Sequence, residues 1–278
     1  MRRGLCVAVP MVALASVTAT TTEVPAWAGT TATSAATSEA PRVSVPTPTP
    51  SRRPEAATAF NPCQNWAARN WSGYCIIGGG YTSVSGTWTV PTVNTPVKKA
   101  QRRRYQYSGT WVGIDGVTNS DLIQAGTEQD YLRGQTFYQA WWEILPAAET
   151  PIASVSVHPG DSITVSITQG SPTWTITLTN NTTHQSFTTH QPYSGPRTSV
   201  EWVQEAPTVN RRIATLADDS TFAFDDATVN GSSAGLISSE AGVMYKGGKF
   251  LSTPSAPNPE QDGFAVAYGS VAPPAPSS

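Results

Sequence analysis

The chain has 278 residues, of which 38% are hydrophobic and only 13% charged, about half the ~25% charged share usual in soluble proteins. Its 17 Lys and Arg against 19 Asp and Glu give a formal charge of −2, which offers nucleic acid and anionic membranes no electrostatic reason to bind. Three His and three Cys are too few for a His- or Cys-rich metal centre, because a structural zinc takes four such ligands.

Arg2 and Arg3, an apolar run over residues 5–17 and the small-x-small triplet Ala26-Trp27-Ala28 spell an export signal over residues 1–28. The apolar run is too short to anchor, since a membrane-spanning helix needs ~20 residues. The mature protein is therefore expected to be secreted, with no stable membrane association. Residues 29–60 are mostly Thr, Ser, Ala and Pro and cannot bury a core, so they read as a linker or pro-segment. Cys6 leaves with the signal, and only Cys63 and Cys75 remain. In an oxidising compartment these two are expected to form a disulfide, with a pair of buried thiols as the alternative.

From residue 61 to about 270 the pattern is one of short alternating runs broken by turn residues, the signature of a single all-β domain, an antiparallel β-sandwich. Nine Trp, nine Tyr, 22 Gly and 23 Pro agree with it. Gly78, Gly79 and Gly80 precede a strand over 81–90. Five cations, Lys98, Lys99, Arg102, Arg103 and Arg104, then fill a loop that is either solvated, a dock for an anionic polymer or a processing site. Strands over 111–114 and 122–125 flank a turn at Asp115-Gly116, and an aromatic strand follows over 137–145. The clearest alternation is in 162–168 and 173–179, a hairpin with Ile163, Val165 and Ile167 on one face and Ser or Thr on the other. A short helix near 198–205 is the only helical suggestion. The Pro- and Ser-rich residues 271–278 read as a disordered tail.

The search for chemistry is mostly negative, with no H-E-x-x-H, no phosphate-binding loop and no dinucleotide fingerprint. Gly231-Ser-Ser-Ala-Gly235 matches G-x-S-x-G, but that elbow needs a strand before it, a helix after it and a later His. His158, His184 and His190 all precede Ser233. What remains are carboxylates and amides in aromatic surroundings: Glu143 in Tyr138-Gln-Ala-Trp-Trp-Glu143, Glu201 and Glu205 around Trp202, Asp115 after Trp111, and Gln124. Acids seldom enter such runs without a partner or a task. Each taken singly could be a rim residue on a wet strand face.

Together these segments resemble the glutamic peptidases, or eqolisins. The resemblance rests on Asn70-Trp-Ser-Gly73 with Val84-Ser-Gly-Thr-Trp-Thr-Val-Pro91, Trp111-Val-Gly-Ile-Asp-Gly116, Leu122-Ile-Gln-Ala-Gly126, Ala140-Trp-Trp-Glu143 and Val200-Glu-Trp-Val-Gln-Glu205. It implies two packed, curved, jelly-roll-like sheets and a secreted endopeptidase that works in acid on polypeptides, as a monomer, without metal or cofactor. It also implies that Gln124 and Glu205 are catalytic and that Trp71, Trp111, Asp115, Glu128, Trp141 and Glu143 line the substrate cleft. Glu128 stands where the family carries Asp, and only one disulfide is available where fungal relatives have several.

That pair makes chemical sense. An ionised Glu takes a proton from water and returns it to the leaving nitrogen, while a Gln amide donates to the oxyanion at any pH. An ordinary Glu has both forms populated near its pKa of ~4.3. Two rivals remain: a carbohydrate-binding sandwich using Trp71, Trp88, Trp141 and Trp142, and a glycosidase using two of Glu128, Glu143 and Glu205.

Overall fold

The computed structural model describes residues 61–277, so the expected signal at 1–28 and the segment 29–60 lie outside the described residues. In chain order the strands are β1 (Trp66–Ala68), β2 (Trp71–Ile77), β3 (Ser83–Thr89), β4 (Tyr105–Gln106), β5 (Gly109–Asp115), β6 (Leu122–Leu132) and β7 (Gln135–Ile144). They continue with β8 (Thr150–Pro151), β9 (Ser162–Gln169), β10 (Trp174–Asn180), β11 (Gln185–Gln191), β12 (Ser199–Glu205), β13 (Thr208–Val209), β14 (Arg212–Ile213) and β15 (Phe222–Val229). The last four are β16 (Ser232–Ser233), β17 (Ala241–Lys246), β18 (Lys249–Pro254) and β19 (Phe264–Tyr268), with a 3₁₀ turn at Ser238–Glu240 between β16 and β17.

The strands form an antiparallel sandwich. One layer runs β17-β2-β12-β5-β6-β7-β8, the other β11-β10-β9-β3-β15-β19. Strand β18 pairs with both β17 and β19 and links the layers through the backbone.

Alternation builds the core between them. Ile163, Val165 and Ile167 of β9 and Ile176 and Leu178 of β10 are fully buried and meet Val112, Ile114, Ile123, Ala125, Val200 and Trp202 from the other layer. Burying each such aliphatic side chain contributes about 1.5–3 kcal/mol. Trp202 crosses the interior and donates its Nε1 to the Ser85 carbonyl at 2.8 Å. Gly86 makes the room, because a Cβ there would sit 2.7 Å from the indole. On the wet face of the other layer, threonines pair across strands, Thr87 with Thr164 at 2.9 Å and Thr177 with Thr188 at 3.2 Å.

The helix suggested near 198–205 is strand β12, hydrogen-bonded to β2 on one side and β5 on the other. Glu201 and Glu205, four apart, suit one face of a helix as well as alternate positions of a strand, and the two neighbouring strands decide the matter. Cys63 and Cys75 form the expected disulfide, Cα atoms 5.4 Å apart across a sequence separation of 12. The residues of the basic loop, from Lys98 to Arg104, are exposed between β3 and β4.

Candidate active site

The face of the first layer turned away from the core holds nearly all the candidates. Register places them in rows: Trp71, Glu205, Gly109 and Glu128 side by side across β2, β12, β5 and β6, then Cys75, Glu201, Gly113, Gln124 and Glu143 across β2, β12, β5, β6 and β7. Between these rows lies a third, Val203, Trp111, Gly126 and Trp141. The sequence Gly109-Thr-Trp-Val-Gly113 explains the spacing, since alternation puts two glycines on either side of Trp111 on one face and clears a floor for its ring. Gly126 faces Trp111 from β6, where a Cβ would meet the Thr110 carbonyl oxygen at 2.2 Å and the Trp111 Cβ at 2.6 Å.

Glu205 ends β12 within a ring of N–H donors. Its Oε1 accepts from Asn70 Nδ2 at 3.1 Å and its Oε2 from Trp111 Nε1 at 3.0 Å. Trp71 packs edge-on to Trp111, centroids 4.9 Å apart at 78°; its Nε1 faces Glu205 without reaching hydrogen-bond geometry. Burial pushes the Glu205 carboxyl up to about 7, against the opposing pull of these donors. This departs from the ordinary glutamate expected from sequence.

Gln124, two strands away, points its Nε2 at Glu143 Oε2 at 2.6 Å. The remaining oxygens of both groups, Gln124 Oε1 and Glu143 Oε1, are buried without a partner. Burial drives Glu143 up to about 8, helped by the nearby carboxyls of Glu205 and Glu149. Glu149, just after β7, is itself pushed up to about 7 by burial and then by Glu205. Glu143 is 1% exposed, so it stands against Gln124 instead of opening onto solvent.

Glu128 and Asp130 share the same face of β6, both raised well above the ordinary range by burial, Glu128 also by Asp130 and both by Glu149. Asp219 accepts from Ser108 Oγ at 2.6 Å and Gln204 Nε2 at 2.9 Å, and burial carries it to about 7. Glu201 is fully buried, with neither carboxyl oxygen hydrogen-bonded, and burial raises it well above normal. Among the described residues none of these acids is paired with Lys or Arg; the one carboxylate pairing there is Asp161 with His158.

Asp115 lies at the far end of β5, where its carboxylate accepts from Tyr193 Oη, Arg197 N, Thr198 N and Asn119 Nδ2 at 2.6–2.9 Å. These bonds tie the approach to β12 onto β5 and leave Asp115 wholly buried. Glu149, Asp130 and Asp219 carry no signal in the sequence. Asn70 does, directly before Trp71. Of the four tryptophans invoked for sugar stacking, Trp88 is buried in the core and Trp142 packs against it, while Trp71 and Trp141 lie buried in the cluster on the outer face. Ser233 is exposed on a two-residue strand, and the three histidines are exposed as well.

Comparisons with known proteins identify the family. The model of the Peptidase A4 family matches residues 69–261. Aspergillopepsin-2 of Aspergillus niger is 34% identical over 198 residues, covering 63% of this chain and 69% of the relative. Scytalidopepsin B of Scytalidium lignicola is 34% identical over 143 residues, covering 49% and 51%. In structure, scytalido-glutamic peptidase bound to a transition state analog inhibitor superposes with a TM-score of 0.60 at 24% identity, over 72% of this chain and 98% of that one. With more than half its length matched, the chain belongs to the Peptidase A4 family, the glutamic peptidases or eqolisins, and is a glutamic-type endopeptidase hydrolase.

Proposed function

We propose that this protein is a secreted endopeptidase that cleaves polypeptides on the acid side of neutrality, with Glu205 moving the proton and Gln124 holding the oxyanion. The observation that carries the reading is the placement of Glu205 and Gln124 on one face of the sheet, either side of Trp111. A peptide lying across β5 would present its carbonyl between them. Ionised Glu205 takes a proton from water as the water attacks the carbonyl carbon, then gives it to the leaving nitrogen. The Gln124 amide donates to the oxygen that gains charge. Asn70 and Trp111 hold the Glu205 carboxylate in place and favour its ionised form.

The test is digestion of a denatured protein from pH 2 to pH 8, on the order of one unit per step, with wild type, Glu205→Gln and Gln124→Ala. Glu205→Gln is expected to abolish cleavage at every pH, and Gln124→Ala to lower kcat ~10²–10³-fold. Cleavage by Gln124→Ala at the wild-type rate would remove Gln124 from the mechanism. Release of sugar instead of peptides would replace the reading with the glycosidase alternative.

A further inference from the structure

Gln124 and Glu143 present an unsolved hydrogen-bond account. With Nε2 turned to Glu143, the amide spends a donor on a carboxyl and leaves its own Oε1 buried without a partner. A buried acceptor in that state keeps its full desolvation cost. The same orientation also commits one N–H of the amide nitrogen to Glu143. A rotation of 180° about the last side-chain bond places Oε1 against Glu143, and Nε2 is then free. The 2.6 Å separation suits an O–H···O bond, whose usual range is ~2.5–3.0 Å, better than N–H···O, which runs ~2.7–3.2 Å.

We propose that Glu143 is a positioning residue: as a neutral carboxylic acid it donates its proton to Gln124 Oε1 and so turns the Gln124 amide nitrogen toward the substrate oxyanion. The inference rests on Gln124 being the oxyanion donor. Neutrality is favoured by burial and by the neighbouring acids, against the opposing pull of the Gln124 side-chain amide and the Glu149 backbone N–H. The groups facing Glu143 are Gln124 from β6, Glu205 from β12 and Glu149 from the segment after β7, and none is a cation. Ionisation would reverse the arrangement, because a carboxylate accepts only and would recapture Nε2. Glu143 thus acts through Gln124 and need not touch the substrate.

The experiment compares Glu143→Gln, Glu143→Leu and Gln124→Ala in the full secreted protein, reading kcat, KM and the pH profile on a denatured protein substrate. A Gln at 143 keeps a donor for Oε1 and cannot ionise. Glu143→Gln should therefore keep kcat at least about tenfold above Glu143→Leu at acid pH with similar KM, the leucine variant approaching Gln124→Ala. Its activity should also persist to higher pH than that of wild type, read where circular dichroism shows the fold intact. Equal kcat for the Gln and Leu variants, or losses confined to KM, would overturn the positioning role. If Glu143→Leu does not fold, the profile of Glu143→Gln decides, and an alkaline limb identical to wild type overturns the proposal. Full activity in Gln124→Ala would instead remove the reading on which the proposal rests.

Discussion

Asn70 Nδ2 and Trp111 Nε1 both donate to Glu205, and a donor to a carboxylate stabilises its charged form. Burial works the other way and carries the group from 4.5 to about 7. Removing either donor lets burial win further, so the pKa of Glu205 rises. A general base acts when ionised, and the acid limb of kcat/KM in the free enzyme reports its pKa. In wild type that limb is expected between 4.5 and about 7, so cleavage in weak acid draws on the ionised fraction of Glu205. Asn70→Ala should move it to higher pH by roughly one unit, since a hydrogen bond to a charged group is worth about 1.5–3 kcal/mol and one unit is about 1.4 kcal/mol. A full pH profile of kcat/KM for the two proteins checks this. A limb at the same pH with only KM changed would mean that Asn70 shapes the cleft without tuning the base.

At the scale of strands, the site depends on how closely β5 and β6 approach beneath Trp111. Gly126→Ala would place a Cβ 2.2 Å from the Thr110 carbonyl oxygen, a backbone atom held in the ladder. The strands must separate, so a loss of about 1–3 kcal/mol is expected, measured by urea unfolding at fixed pH. Kinetics should fall too, because the same shift displaces Trp111 from Glu205. This layout explains what the sequence revealed. Alternation in Ile163, Val165 and Ile167 and the Gly109-x-Trp111-x-Gly113 pattern are local, so strands, core face and the Gln124 and Glu205 segments were readable. Asn70 is visible locally only as the residue before Trp71, because its bond to Glu205 spans 135 residues of sequence, and Glu149 and Asp219 join through loops, so no local pattern announces them. The segment of strand β12 suggests a short helix in the sequence because its partners β2 and β5 lie far away in the chain. The raised Glu205 was equally hidden, since desolvation is a property of the packed sheet and not of the residue.

Across the whole molecule, scarcity of charge acquires a physical consequence. Seven acids, Glu128, Asp130, Glu143, Glu149, Glu201, Glu205 and Asp219, are all raised by burial, and none is matched by Lys or Arg among the described residues. A carboxyl raised in the folded state binds its proton more tightly there than in the unfolded chain. The stability it supplies is complete below the unfolded pKa of ~4 and is lost as pH rises toward the folded value. For Asp219 that window runs from the ordinary 3.8 to about 7. The protein should therefore be most stable in acid and weaken toward neutrality, opposite in sign to proteins whose carboxylates sit in ion pairs. Each such group contributes a slope of about 1.4 kcal/mol per pH unit within its window. Asp219→Asn provides the discriminating case, because the Asn oxygen still accepts from Ser108 and Gln204 while the side chain no longer titrates. Urea unfolding between pH 4 and pH 7, on the order of half-unit steps, should give a stability slope shallower by about one proton in the variant than in wild type. Equal slopes would mean that Asp219 is ionised throughout in the folded protein and contributes nothing to its stability in acid.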